Sequence, residues 1–336
     1  MDEEEGIVEV QEGIHMEWQT RVTDLLAIDY PIIQGGLAYL AYAELAAAVS
    51  EAGGLGQITA MSLESPEALR AEIKKVKAMT NKPFGVNFAI GQHGRPYAHM
   101  VEAALEEGVR IMSVTGGNPS PFFKQLENTD VTKLVLVAAK RQAEKAESLG
   151  ADAVLVVGQE GGGHLGRDDI GTMVLIPQVV DVVSIPVIAS GGIGDGRGWM
   201  AAHALGAEGI EMGTRFIATK ECVHASQVYK DLLVASSETG TSVIKRTLGA
   251  PARALTGRWT EKILGMEAEN ADYETLKDFI SGEANRRLIH DGDIENGYGW
   301  AGQVAGLIDD VPTVDELFRR MVNEAETIRT RWRFKG

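Results

Sequence analysis

Short apolar runs alternate with longer segments of helical periodicity from about residue 30 onwards. Tyr30-Pro-Ile-Ile-Gln-Gly-Gly36 reads as a first strand ending in two glycines, and the alanine-rich stretch 43–52 as a helix stopped by Gly53-Gly54. A second strand covers 55–59. Ser65-Pro66 then opens a helix to about Met79, with serine as its cap and proline in the first turn. Strands are expected over 83–89, 109–114, 133–138 and 151–157, with helices over 96–107, to about Glu127, and over 140–149. A loop over 158–169 holds five glycines and one histidine, a helix covers 173–183, and strands seven and eight fall at 186–189 and 209–212.

Eight such units with short, nearly all-apolar strands imply a parallel sheet covered on both faces by its crossover helices. An open doubly wound sheet is the rival. The closed form is favoured because the last two strands run into glycine, in Val187-Ile-Ala-Ser-Gly-Gly-Ile-Gly-Asp-Gly-Arg-Gly198 and Gly209-Ile-Glu-Met-Gly-Thr-Arg215. Glycine turns followed by helix N-termini suit a phosphate, and a β/α barrel binds phosphate on the loops after strands seven and eight. The expected fold is therefore α/β, a (β/α)8 TIM barrel over residues 25–219. A loose acidic lead-in precedes it (1–24), and a C-terminal helical subdomain (220–336) covers the barrel mouth. That subdomain carries a basic patch, Lys245, Arg246, Arg253 and Arg258, and ends in an amphipathic helix over 314–329.

Composition narrows the function. A formal charge of −16 over 336 residues disfavours nucleic acid or an anionic membrane as partner. The single cysteine, Cys222, can form no internal disulfide or metal cluster and reads as a packed side chain. The N-terminus lacks the order of a secretory signal and no apolar run would span a bilayer, so a cytoplasmic location is expected. A homodimer is left open.

In a barrel the active site lies at the C-terminal strand ends. There the chain offers Gln34, Gly35, Gly36, Asn87, Gln159, Gly162, Gly163, Ser190, Gly191, Gly192, Gly213 and Thr214, a set rich in glycine and neutral amides and without a metal-ligand cluster. Such a set suits a phosphorylated flat heterocycle such as FMN better than a sugar phosphate. His164, on the glycine-rich loop, is the candidate catalytic residue, as general base or as a partner for a substrate oxygen; bracing the loop is the alternative. Arg215 either helps to hold the phosphate or pairs with a carboxylate. Asp168-Asp169 is expected to cap the following helix. His93, His99 and His290 are weak candidates, and His203 and His224 read as structural.

Seven segments come in an order that resembles one family. They are Pro31-Ile-Ile-Gln-Gly-Gly36, Ala52-Gly-Gly-Leu-Gly56, Lys82-Pro-Phe-Gly-Val-Asn87, Gln159-Glu-Gly-Gly-Gly-His-Leu-Gly166, Ala189-Ser-Gly-Gly-Ile193, Asp195-Gly-Arg-Gly198 and Gly213-Thr-Arg-Phe216. Together they are similar to the nitronate monooxygenase (2-nitropropane dioxygenase) family, which includes flavin-type enoyl-acyl-carrier-protein reductases and NADH:quinone reductases. The tail Gly302-Gln-Val-Ala-Gly-Leu-Ile-Asp-Asp310 extends the resemblance to about nine-tenths of the chain.

The resemblance implies FMN on a β/α barrel, with His164 as catalytic base or substrate-orienting group. It places Gln34, Gly35, Asn87 and Gly162-Gly163 along the flavin ring, and Gly191, Gly192, Gly213 and Thr214 at its phosphate. It implies oxidation of alkyl nitronates with O2 or, alternatively, NAD(P)H-dependent reduction of a quinone or enoyl thioester. Two features depart from the best-known nitronate oxidisers. Gly35-Gly36-Leu37 stands where they carry Ala-Pro-Met and looks more like the reductases, and Gly161 stands where alanine is common. A flavin-free barrel binding a phosphate ligand is the remote alternative.

Overall fold

In the strand Ala153–Val157 every residue is buried, yet its two faces belong to different clusters. Ala153 and Leu155 pack with Ile33, Leu55, Ile111 and Ile188, whereas Val154 and Val156 pack with residues of the surrounding helices. A strand apolar on both faces needs a sheet with one side filled by its own side chains and the other covered by helices. The computed structural model has that architecture over the residues it describes, 18–91 and 96–332.

The strands are β1 (Ile32–Gln34), β2 (Gly56–Thr59), β3 (Phe84–Ala89), β4 (Ile111–Thr115), β5 (Thr132–Val137), β6 (Ala153–Val157), β7 (Gly163–His164), β8 (Val187–Ser190), β9 (Gly209–Met212), β10 (Thr241–Ile244) and β11 (Ala252–Leu255). Eight of them form one parallel sheet in the order β1-β9-β8-β6-β5-β4-β3-β2. Leu55 N donates to Ile32 O and Gln34 N to Leu55 O, both at 2.9 Å, which joins the two ends. The sheet is the expected (β/α)8 barrel.

Two parts depart from expectation. Residues 1–17 and His93 lie outside the described residues, but the end of the supposed loose lead-in is ordered against the barrel. Trp18 stacks on Trp199 with ring centroids 4.2 Å apart, and the helix Arg21–Leu26 sends Val22 and Leu26 into the inner apolar cluster. The C-terminal region is not purely helical either. Here β10 and β11 form an antiparallel hairpin, and β11 also pairs with β7, making a three-stranded sheet beside the barrel mouth. The last helix, Val314–Arg331, packs on the helices Gly196–Ala204 and Ala43–Glu51 of the outer ring. Among the described residues no helix is long and apolar enough to cross a membrane.

The ring is tight where the helix Ala43–Glu51 crosses the start of β2. A Cβ on Gly56 would lie 1.9 Å from Ala46 O, backbone against backbone, which no rotamer change relieves. Gly56→Ala should lower stability by ~1–3 kcal/mol, seen as a lower urea midpoint; an unchanged midpoint would mean that the helix has room to shift.

Candidate active site at the barrel mouth

Inward-facing positions turn from apolar to polar towards the C-terminal strand ends. Above Ile33, Leu55, Ile111, Leu155 and Ile188 come Gln57, Asn87, Ser113, Thr115, Ser190 and Glu211. Buried polar groups need partners, and these have them. Ser113 Oγ donates to Gln57 Oε1 at 2.6 Å, Asn87 Nδ2 donates to Ser113 Oγ and Thr115 Oγ1 at 2.9 and 3.0 Å, and Ser190 Oγ donates to Glu211 Oε2 at 2.7 Å. This layer underlies a cavity of about 370 Å³, lined by Asn87, Thr115, Ser190 and Glu211 among others and of ligand size.

Gly35, Gly36, Asn87, Gly162, Gly163, His164, Ser190, Gly191, Gly192, Gly213 and Thr214 all line the cavity. Gln34 and Gln159 do not, and their expected place along a ligand is corrected. Gln34 is fully buried in the β1–β2 seam, where its Oε1 accepts from Gln57 N at 2.9 Å and its carbonyl accepts from Gln57 Nε2 at 2.9 Å. Gln159 turns outward to Asp169, and its carbonyl accepts from Arg253 Nη2 at 3.1 Å.

The glycine turn after β8 holds Gly191 at φ 88° and Gly192 at φ 77°, conformations that a side chain would strain. The helix Gly196–Ala204 stands behind it, with two of its first N–H groups already engaged by side chains. Asp195 accepts from Gly198 N at 3.0 Å and Glu324 from Gly196 N at 2.8 Å, so two carboxylates take up part of that end. The turn itself and Gly213-Thr214 face the cavity. Arg215 also lies outside the cavity lining. It donates to Ala218 O and Asp310 O, both at 2.7 Å, and pairs with the Asp310 carboxylate at 3.6 Å.

The helix Thr172–Val180 is capped by Glu160, which accepts from Thr172 N and Oγ1 at 2.9 Å, and not by Asp168 or Asp169. The basic patch dissolves: Lys245 and Arg253 are buried, Arg246 pairs with Asp169 at 2.9 Å, and Arg258 with Glu295 at 2.6 Å. His203 is held in the outer ring between Trp199 Nε1 and Ala207 O, each at 2.8 Å. Burial pushes the Cys222 thiol up to about 12.

Three residues that the sequence pattern does not place at the site, Lys245 of the expected basic patch among them, also line the cavity. Lys245 brings Nζ to 3.1 Å from His164 Nε2, and burial lowers its pKa to about 8. Asn285 donates from Nδ2 to Tyr298 O at 2.9 Å, and its buried Oδ1 has no partner among the described residues. Glu211 is the third.

The model of the family described as nitronate monooxygenase matches residues 19–93 and 89–324. A probable nitronate monooxygenase of Staphylococcus saprophyticus is 32% identical, over 94% of this chain and 100% of its own. The chain belongs to the nitronate monooxygenase family. It is thus an oxidoreductase of a family whose members are in general flavin-dependent. The chain is also similar to a Mycobacterium tuberculosis (3aS,4S,5R,7aS)-5-hydroxy-7a-methyl-1-oxo-octahydro-1H-indene-4-carboxyl-CoA dehydrogenase, 34% identical over 93% of this chain and 97% of its own, and to FabK from Thermotoga maritima. The FabK structure matches with a TM-score of 0.88 and 40% identity, over 94% of this chain and 98% of its own.

On this family's barrel Glu211 is a buried carboxyl at the cavity floor. Burial raises its pKa to about 7, against the opposing pull of its hydrogen bond from Ser190. A raised carboxyl pKa means that the folded state prefers the protonated form. The associated stability is complete below the ordinary carboxylate range and is lost as pH rises to about 7. In ligand-free protein, Glu211→Gln should therefore exceed the parent in stability above pH 7 by ~3 kcal/mol, with the gap closing in acid. Urea unfolding over a pH series measures it, and a gap independent of pH would refute the assignment.

Proposed function

We propose that the chain is an FMN-dependent oxidoreductase of the nitronate monooxygenase type, oxidising alkyl nitronates with O2. The observation that carries this reading is one cavity combining a left-handed glycine turn, a floor of neutral amide and hydroxyl groups, and His164 at its mouth. The residues fit the cofactor: Gly191, Gly192, Gly213 and Thr214 would hold its phosphate, and Gly35, Gly36, Asn87, Gly162, Gly163 and Ser190 would lie along its ring. When bound, FMN supplies a reversible acceptor for the electrons that leave the substrate. His164 takes the substrate's proton or fixes its oxygen. Residues 220–336 act in this reading as the cover that excludes water from the mouth.

A second reading is NAD(P)H-dependent reduction of a quinone or an enoyl thioester. It is favoured by Asn285 Oδ1, a buried acceptor without a partner among the described residues, on a wall shared with Ile280 and Ile289, which suits the N–H of an uncharged amide such as the nicotinamide carboxamide. The likeness to a dehydrogenase named for a CoA thioester points the same way.

Anaerobic titration of the purified yellow protein separates the two. Bleaching of the flavin band by an alkyl nitronate and not by NADH or NADPH supports nitronate oxidation, and the reverse result replaces it with the reductase reading. His164→Ala should retain flavin and lose ~10²-fold or more in turnover; full turnover with flavin bound would reduce His164 to a loop brace.

A further inference from the structure

Lys245 is held at the mouth by an arrangement that makes sense if its ammonium group is used. Its backbone sits at φ 62°, a left-handed conformation uncommon for a residue with a long side chain. The carboxylate of Glu267 fixes that turn, accepting from Lys245 N at 2.8 Å and from Thr247 N and Oγ1 at 3.1 and 2.9 Å. Across the small sheet, Ala252 stands between Ile244 and His164, so no bulky side chain separates Lys245 from the histidine. Nζ lies 3.1 Å from His164 Nε2 and 5.3 Å from the centre of the Trp300 ring, and the residue is 7% exposed. Among the described residues no carboxylate forms an ion pair with Nζ, since Glu267 meets the backbone of the turn.

An ammonium group has three donors and no acceptor. One donor meets His164 Nε2, and the others are available to whatever enters the cavity. A buried cation without a carboxylate of its own is costly unless an anion joins it.

We propose that Lys245 is the anion-recognising residue of this cavity, holding beside His164 a substrate oxygen that carries or acquires negative charge. The chemical class follows from this: a planar conjugated group whose terminal oxygen is anionic in the bound substrate, as in a nitronate, or becomes so during reaction, as in an enoyl thioester. For the reaction, the inference rests on the flavin oxidoreductase reading; for binding, it does not. It also bears on His164. While the ammonium group donates to Nε2, that lone pair is engaged, and a substrate oxygen that takes over the hydrogen bond releases it.

The groups that face Lys245 are His164 from β7, Glu267 from the helix Arg258–Ala268 and the Trp300 ring, with Arg246, paired to Asp169, next in the chain. Burial holds the Lys245 pKa at about 8 despite Glu267, so its charge, and anion affinity with it, disappears as pH rises through that value.

The test is calorimetric titration of the purified holoprotein with propionate, and with propionamide as the uncharged control, below and above pH 8. Propionate should bind the parent and bind Lys245→Met ~10- to 100-fold more weakly, while propionamide distinguishes nothing. Above pH 8 the parent should lose propionate affinity and Lys245→Arg should keep it, because arginine stays charged. Equal propionate affinity in the parent and Lys245→Met, or no binding by the parent, overturns the proposal. If Lys245→Met does not fold, the comparison of the parent with Lys245→Arg above pH 8 decides alone. A colourless preparation would overturn the flavin reading and leave the calorimetry intact.

Steady-state kinetics separate the two sources of negative charge. With a nitronate, charged before reaction, Lys245→Met should raise KM. With an enoyl thioester, charged only as its double bond is reduced, it should lower kcat at nearly constant KM. No change in either constant for the substrate that the parent turns over would also overturn the proposal.

Discussion

Backbone pairing of Gly163–His164 with Ala252–Arg253 is the contact on which the site depends. The barrel supplies a floor by itself, but a loop with five glycines has many conformations to lose before it can hold a histidine in one place. Adding a strand to its edge removes that freedom. Further bonds reinforce the same joint: Gln303 N donates to Glu160 O at 2.9 Å, Gly302 N to Thr214 Oγ1 at 2.9 Å, and Arg253 to the Gln159 carbonyl. The C-terminal region is thus a structural member of the mouth, which it lines with Lys245, Asn285 and Trp300.

Two desolvated ionisable groups of opposite sign then set the character of the cavity. Glu211, at the floor, is pushed up to about 7, and Lys245, at the mouth, down to about 8. Burial moves each towards its neutral form, and neither is matched with the other by an ion pair. Burial thus favours a protonated acid at the floor and weakens the hold of the proton on the lysine at the mouth.

The barrel was legible because strands such as β6 must be apolar on both faces, a demand that few other folds make over eight consecutive units. Glycine at the strand ends likewise located most of the cavity lining. What failed was the assignment of faces. Gln34 follows the inward Ile33 and therefore points away from the interior, into the seam, a parity that could have been counted. The same counting picks out Glu211, a lone acid between the outward Ile210 and Met212. Lys245 and Asn285 were beyond that reach. They meet the cavity through tertiary pairing across 81 residues in the case of Lys245 and His164, and the hairpin that carries Lys245 was concealed by a Lys-Arg-Thr turn that reads as solvated surface. Helix capping went astray for a related reason, since Glu160 arrives from across the loop and not from the neighbouring Asp168-Asp169.

Pairing through main-chain atoms is indifferent to which side chains the hairpin displays. The β10–β11 hairpin can therefore keep the glycine loop in position while its own side chains are replaced, much as a jaw can be changed without rebuilding the tool. Relatives with very different substrate names match this chain over more than nine-tenths of its length at about one-third sequence identity. In this chain the turn of that hairpin presents a lysine to the mouth, 3.1 Å from the histidine that the pairing holds.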